Sequence, residues 1–436
     1  MDIEVFAARR ARVLEELAPG HAMLLMPHHH HLRNGDAEFR YRQCSDILYL
    51  SGWQDPECAV LLRPGSEAPF VLFVQDKDQE MEIWTGIRAG PEGATRDFGA
   101  DAAYTWAELG PKLGELVIGF HTLHYRAGED ADFDRKVLSS IARKRKIATR
   151  RHLAPVPDSF VNPGRILHEL RLFKDPLELD VMRRAGAITA KAHLAAMREA
   201  ADGVREFELE ALIDYTFRKH GGNGPGYTSI VGGGANACIL HYITNREPLR
   251  DGDLVLIDAG CELDWYTADV TRTFPVSGHF TQAQRELYEV VLEAQLACID
   301  HCRPGSTFKS VHELAIRKLT EGLVGLGVLS GDVDELIEKE DYKRYYMHGT
   351  SHWLGMDVHD VGSYLGEEGS RELAPNMVLT VEPGLYVMQD DEQAPERFRG
   401  IGIRIEDDVL VTEGQPDVLT ASIPKTVEEI EAACRG

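Results

Sequence analysis

No apolar run in this sequence is long enough to cross a bilayer, so a membrane-spanning helix is not expected. The stretch from Met1 to Gly20 mixes Glu, Arg and apolar residues at helical spacing and has no continuous apolar core, so no secretory leader is expected either. Cysteine is sparse. The seven residues (Cys44, Cys58, Cys238, Cys261, Cys298, Cys302 and Cys434) are odd in number and contain no Cys-x-x-Cys pair, which reads as reduced thiols in a cytoplasmic protein. Cys298 and Cys302 lie one helical turn apart, and a packing role is expected of them. Positive charge is also short: 47 Lys and Arg stand against 71 Asp and Glu, a formal charge of −24. Such a balance disfavours nucleic acid and anionic membranes as partners and mildly favours cationic ligands, such as the free amino end of a peptide. Solubility alone would also account for it.

Apolar residues make up 43% of the 436 positions and charged residues 27%, a globular composition on a chain too long for one ordinary core, so two domains are expected. Periodicity predicts a helix over Ile3–Leu17, strands at His21–Met26, Ile47–Leu50, Ala59–Leu62 and Phe70–Val74, and helices near Trp106–Leu116 and Arg135–Ile147. This is an α/β N-terminal domain over residues 1–172, ended by the proline-bearing segment Arg150–Pro176. Within it the tract His28–His31 has no carboxylate woven through it and reads as an exposed loop. Residues 173–436 open on helices at Pro176–Ala200 and Phe207–Lys219, followed by strands at Tyr227–Val231 and Cys238–His241. Helices at Gln282–Cys302 and Phe308–Leu326 then precede a second strand region from His352 to Thr412.

The chemistry starts in Leu254–Phe274. Two β-prone runs there each carry an acid where a buried strand wants none, Asp258 on the first and Asp269 opening the second, at a spacing that suits a hairpin. Two buried carboxylates pointing into one site would need a cation between them; two solvated acids at strand ends would not, and the hairpin alone leaves both readings open. An echo follows. Gly252–Gly260 resembles Asn376–Gly384, each an apolar run ending in acid, any residue, Gly, and Ile403-Arg404-Ile405-Glu406 stands to Glu382 as the Asp269 strand does to Asp258. A duplicated half is inferred, with four acids in two matching hairpins.

The Gly-rich segment Met347–Asp360 adds imidazoles, and His352 completes the set. Four carboxylates contribute −4 and two divalent cations +4, so a pair of ions would neutralise the cluster. Hard carboxylates with one imidazole suit Mn, Co, Fe or Zn without selecting among them. Two such ions can hold a bridging hydroxide and polarise a carbonyl, which is the chemistry of amide or ester hydrolysis.

Asp258-Ala-Gly, Thr267-Ala-Asp269-Val-Thr-Arg-Thr-Phe, His348-Gly-Thr-Ser-His352-Trp-Leu-Gly, Asp357-Val-His359-Asp, Glu382-Pro-Gly-Leu-Tyr and Gly402-Ile-Arg404-Ile-Glu406-Asp together resemble the pita-bread metallopeptidases, and among them the aminopeptidase P branch. The likeness spans nearly the whole chain. It implies an α+β architecture in which a C-terminal pita-bread catalytic domain follows an α/β N-terminal domain that serves assembly. It implies metal ligation by Asp258, Asp269, His352, Glu382 and Glu406, usually of two Mn²⁺, with Asp269 and Glu406 bridging. Glu382 would also accept the proton of the nucleophilic water, His241 would help shuttle it to the leaving nitrogen, and His359 would contact the substrate carbonyl. His348 and Arg404 would line the site, and the aromatic at Trp84 would reach a neighbouring subunit of a homodimer or homotetramer. The implied reaction is removal of the N-terminal residue from peptides with proline in the second position.

Prolidase is the nearest alternative, with the same ligands but dipeptide substrates. Methionine aminopeptidase lacks the extra N-terminal domain, creatinase-like relatives work without metal, and non-catalytic binding modules of this fold have lost the ligands that are intact here. Three departures stand out: Thr350 occupies a position where many members carry Leu, and the His28–His31 tract and the loop Leu365–Ser370 are unlike the family pattern.

Overall fold

Runs of Val, Leu and Phe bounded by turn residues build the first sheet. The computed structural model describes residues 3–151, 154–366 and 369–435, so Glu367 and Glu368 of the Leu365–Ser370 loop lie outside the described residues. The chain divides into two units, Met1–His168 and Glu169–Gly436. That division falls inside the helix Gly164–Leu172, whereas the proline pattern puts it after Leu172.

The first unit holds a six-stranded mixed sheet of β1 (His21–Leu25), β2 (Ala59–Leu62), β3 (Phe70–Val74), β4 (Ala102–Thr105), β5 (Thr122–His124) and β6 (Ser159–Val161), in the order β4-β3-β2-β1-β5-β6. Only β2 runs antiparallel to its neighbours. Leu109 and Leu113 of the helix Leu109–Leu116, with Phe133, Val137 and Ile141 of the helix Ala131–Arg151, complete its core. Ile47–Leu50 is helical rather than the strand its apolar run predicts. It belongs to the helix Ser45–Ser51, in which every residue is buried, so the run has no polar period to distinguish the two. Gly52, left-handed at φ 68, returns its N–H to the Leu48 carbonyl and ends that helix. The His28–His31 tract is an exposed loop in which His29 touches Asp130 and His30 Nδ1 lies 2.9 Å from Glu38 Oε2.

In the second unit, α1 (Pro176–Glu199) starts at an Asp175 cap that Glu178 reciprocates, with Pro at the first helical position, and α2 (Glu206–Lys219) packs beside it. An antiparallel sheet follows, β7 (Ile230–Gly233), β8 (Leu254–Asp258) and β9 (Thr271–Pro275), with β8 in the middle. The order then recurs. Thr-capped α3 (Gln282–His301) and α4 (Phe308–Gly325) precede β10 (Val378–Val381), β11 (Gly384–Val387), β12 (Ile401–Arg404) and β13 (Asp407–Leu410), where β10 pairs with β13 and β11 with β12.

Two local expectations change. Cys238–His241 is not a strand: a 3-10 turn spans Gly234–Cys238 and lays its backbone on β12, where a Cβ on Gly402 would stand 2.3 Å from the Ala237 carbonyl oxygen. Asp269 does not open a strand either. A small hairpin, Cys261–Leu263 with Tyr266–Thr267, intervenes, turning through Asp264 and Trp265 at φ 47 and 72, and β9 begins only at Thr271. At Gly260 the two segments pass so closely that a Cβ would lie 1.7 Å from the Ala268 carbonyl oxygen, which leaves room for glycine alone.

Arg272 of β9, wholly buried, ties this unit together. Its guanidinium pairs with Asp407 at 2.7 Å and donates to the carbonyls of Thr271, Glu406, Ile423 and Pro424. Lys425, Gln295 and Thr420 complete the shell of Asp407 at 2.7, 2.9 and 2.8 Å. Asp407→Ala strands a buried guanidinium and is expected to destabilise the second unit by about 3–5 kcal/mol. A urea titration should show a lowered midpoint, and an unchanged midpoint would contradict the role given to this pair.

Candidate metal centre

Each of the four acids sits where a strand stops. Asp258 ends β8, Asp269 stands just before β9, Glu382 fills the break between β10 and β11, and Glu406 fills that between β12 and β13. For Asp269, Glu382 and Glu406 the neighbouring ladders fix the backbone while the break frees the side chain from strict alternation, and Asp258 is held within its ladder as the last residue of β8. Asp258 pairs with Thr271 across the β8–β9 ladder, and Thr271 accepts the Glu406 N–H at 3.1 Å and donates its hydroxyl to Glu406 Oε2 at 2.7 Å. One threonine thus joins the two matching halves.

His352 arrives on a segment laid antiparallel along β10. Glu382 N–H donates to the Thr350 carbonyl at 2.9 Å, Thr380 N–H to the His352 carbonyl at 3.0 Å, and Leu354 N–H to the Val378 carbonyl at 3.1 Å. His352 Nδ1 donates to the Trp353 carbonyl at 3.1 Å, which turns Nε2 toward Asp269 Oδ2 at 3.2 Å and Glu382 Oε1 at 3.6 Å. Ligand atoms of Asp269, His352 and Glu406 lie within 4.8 Å of one another. Asp258 adjoins them through the Tyr227 hydroxyl, 2.6 Å from Asp258 Oδ1 and also in contact with Asp269.

The electrostatics suit a cation. Burial pushes the Asp269 carboxyl up, and pushes Glu382 up to about 7 against the pull of His352 and Arg404. Glu406, 1% exposed, rises well above the carboxylate range through burial and then the charges of Asp269 and Glu382. His352 is lowered by burial, yet the hydrogen bond and charge of Asp269, with Glu382 behind it, carry it up to about 9. Among the described residues, Arg404 is the permanent cation that touches the cluster, at 2.6 Å from Asp258. Its single positive charge leaves most of the −4 of four carboxylates unbalanced. A hard, oxygen-rich donor set with one imidazole and such a surplus of buried negative charge fits divalent cations.

Arg404 also begins a polar relay. Its Nη1 donates to the Tyr386 hydroxyl at 3.1 Å, Tyr386 donates to His348 Nε2 at 2.8 Å, and His348 Nδ1 donates to the Gly349 carbonyl at 2.7 Å. Burial first, then Arg404, depresses His348 to about 3, so it is a neutral imidazole. His359 is exposed, with its ring edge-on to that of His352 at 4.4 Å, and is lowered by burial and by His352 and His241. His241 and His359 line the cavity that holds the acids, about 700 Å³, whose apolar wall includes Ile230, Leu240, Ile243 and Val358. The structure therefore gathers nine of the ten candidate residues around one cavity. Trp84 belongs to the first unit, on the helix Gln79–Thr85.

Sequence reasoning passed over the residues that hold the acids in place. Thr271 lay inside the motif around Asp269 and was legible there. Asp408, 1% exposed, accepts the Asp269 N–H at 3.2 Å, and its position beside Glu406 and Asp407 was a weak signal. Tyr227 carried none beyond being an aromatic residue after a Gly-Pro-Gly run.

Because raised carboxyl and imidazole groups retain protons near neutral pH, a cation must displace protons to bind, so affinity falls as the pH falls. Calorimetric titration of metal-stripped protein with Mn²⁺ in buffers of different ionisation enthalpy is expected to show net proton release, with affinity rising from about pH 6 to about pH 8. Binding without proton release would contradict these assignments.

Comparison with known proteins agrees with this geometry. The model of metallopeptidase family M24 matches residues 180–413, and that of the aminopeptidase P N-terminal domain matches residues 6–124. The chain is 46% identical to the Xaa-Pro aminopeptidase of Escherichia coli, covering 98% of this chain and 96% of that one, and 35% identical to human Xaa-Pro aminopeptidase 3, covering 92% and 78%. Among solved structures it resembles the aminopeptidase PepP of Pseudomonas aeruginosa, with a TM-score of 0.97 and 45% identity over 100% of this chain and 98% of that one. A zinc-substituted E. coli aminopeptidase P in complex with product matches with a TM-score of 0.95 and the same identity and coverage. A catalytic unit with its five candidate ligands in one cavity, preceded by an aminopeptidase P N-terminal domain, makes this chain a member of metallopeptidase family M24.

Proposed function

We propose that this chain is an Xaa-Pro aminopeptidase holding two divalent cations, manganese by preference, on Asp258, Asp269, His352, Glu382 and Glu406. The observation that carries the reading is the surplus of buried carboxylate around His352 on the wall of a peptide-sized cavity. The Xaa-Pro aminopeptidases among its relatives support the substrate class.

When bound, the cations polarise the scissile carbonyl and lower the pKa of a water so that it attacks near neutral pH. Glu382 accepts the proton of that water, a role open to a carboxylate placed beside the bound cations. His359, neutral and edge-on to His352, donates to the substrate carbonyl, and His241 passes a proton to the prolyl nitrogen as the bond breaks. That nitrogen belongs to a tertiary amide with no N–H, so the site needs shape and apolar contact on that side rather than an acceptor. Leu240, Ile243 and Val358 supply an apolar wall of this kind. Arg404 and His348 orient the site: one holds Asp258 and the other anchors the Tyr386 hydroxyl.

The chain assembles as a homodimer or homotetramer in this reading. Trp84, 83% exposed, stands with Ile83 at 82% and Ile87 at 92%, an apolar cluster that a neighbouring subunit would cover. No helix among the described residues is long and apolar enough to cross a membrane, and a cytoplasmic setting goes with the reduced cysteines.

Hydrolysis of an Xaa-Pro-Yaa tripeptide and the matching Xaa-Pro dipeptide, by metal-stripped protein with and without Mn²⁺, tests the reading. Metal-dependent cleavage of the tripeptide alone is expected, and cleavage of the dipeptide alone would make the enzyme a prolidase. Asp269→Ala is expected to abolish metal binding and activity together, while retained activity would sink the ligand assignment. Trp84→Ala is expected to lower kcat/KM by roughly tenfold with metal stoichiometry unchanged, the loss of one aromatic contact worth about 1.4 kcal/mol; wild-type kinetics would detach Trp84 from the site.

A further inference from the structure

Among the protein groups of the described residues, Glu382 makes only long contacts through its carboxylate. Its carboxylate neighbours are Thr380 Oγ1 at 3.4 Å, His352 Nε2 at 3.6 Å and His348 Nδ1 at 3.8 Å, all longer than a firm hydrogen bond. Before a cation binds, its placement therefore rests on the backbone, where the β10–β13 and β11–β12 ladders hold the flanking residues and the 2.9 Å bond from its own N–H to the Thr350 carbonyl holds Glu382 itself. What fixes Thr350 thus fixes Glu382.

The segment leading to Thr350 is open, with Met347 44% exposed and Gly349 exposed as well. Thr350 itself is 1% exposed, and two side chains converge on its hydroxyl: His312 Nδ1 of α4 at 2.8 Å and the Tyr346 hydroxyl at 2.5 Å. Burial pushes the Tyr346 phenol well above its ordinary value, so it keeps its proton and has to donate it. If Tyr346 donates to Thr350 Oγ1, the Thr350 hydroxyl donates to His312 Nδ1 and the His312 proton sits on Nε2. This order leaves no hydroxyl proton unpaired, and burial favours the neutral imidazole it requires. None of the three groups has a part in the reaction as described above.

We propose that Thr350 is a positioning residue, pinned by His312 and Tyr346, through whose carbonyl the helix α4 sets the place of Glu382 in the metal centre. The inference rests on the reading of Glu382 as ligand and proton acceptor. It predicts that the hydroxyl, rather than the bulk of the side chain, is what matters. Thr350→Val keeps the shape and the backbone carbonyl but leaves Tyr346 and His312 without their partner; Thr350→Ser keeps the hydroxyl.

The test measures kcat and KM on an Xaa-Pro-Yaa tripeptide, Mn²⁺ affinity by calorimetry on the metal-stripped protein, and thermal unfolding, for wild type and both variants. Thr350→Val is expected to lower kcat by about 10- to 100-fold with KM little changed and to weaken Mn²⁺ binding by about tenfold, as outer partners of metal ligands commonly do. Thr350→Ser is expected to restore both, and Tyr346→Phe to lose part of each. Full kcat and Mn²⁺ affinity in Thr350→Val, or a Thr350→Ser as impaired as Thr350→Val, would overturn the proposal. A wild type that binds Mn²⁺ but cleaves no Xaa-Pro peptide would instead overturn the functional reading, and the Mn²⁺ affinities of the variants would still decide this one.

Discussion

Mutual repulsion among buried carboxylates is the constraint around which the second unit is built. Two unit charges about 4 Å apart repel by roughly 4 kcal/mol at the effective dielectric of a protein, and four such groups cannot share a cavity ionised without help. The chain supplies part of it: Arg404 against Asp258, the Tyr227 hydroxyl between Asp258 and Asp269, and the Thr271 hydroxyl on Glu406. The rest appears as protons held too tightly, with Glu382 carried up to about 7 and His352 up to about 9. Such a site stores a demand for positive charge, and a divalent cation meets it while keeping every ligand ionised.

Holding that demand in place requires a rigid frame, which the strand breaks provide. An acid within a ladder would point wherever the pleat sends it, and an acid on a free loop would swing away from its neighbours. At a break, the backbone is held on both sides while the side chain turns inward. Arg272 strengthens the frame from behind by taking up carbonyls from both halves and from the C-terminal segment, with Asp407 held down to about 2 by Arg272 and Lys425 despite its burial. The carboxylate next to Glu406 in sequence is thus structural, faced by two cations and by the Gln295 and Thr420 donors.

Much of this was legible in the sequence because the acids interrupt apolar runs twice over, in the same pattern, and because His352 lies in a Gly-rich segment between them. The long helices were legible from period and caps. What was not legible came from contacts made at long range. Ile47–Leu50 is buried on every side and so shows no period. Cys238–His241 abandons the strand because its backbone seats on Gly402, far along the chain. The hairpin that places Asp269 turns at Asp264, which tolerates the left-handed region, and at Trp265, a bulky residue that gives no sign of it. Tyr227 touches two of the candidate ligands from a segment with no motif, a contact that only the folded chain creates.

The histidines divide along the same physical line. His348 and His352 are nearly buried and each has one ring nitrogen committed to a backbone carbonyl, which fixes the tautomer and aims the other nitrogen. His241 and His359 are exposed on the cavity rim, and no carbonyl of the kind that orients the other two holds them among the described residues. A group that binds a cation or orients a neighbour needs one geometry, whereas a group that meets a substrate and moves a proton needs access and some freedom to follow the bond as it breaks. Under the proposed roles, the separation of fixed imidazoles beside the acids from freer ones at the rim is what hydrolysis by a positioned water requires of a single cavity.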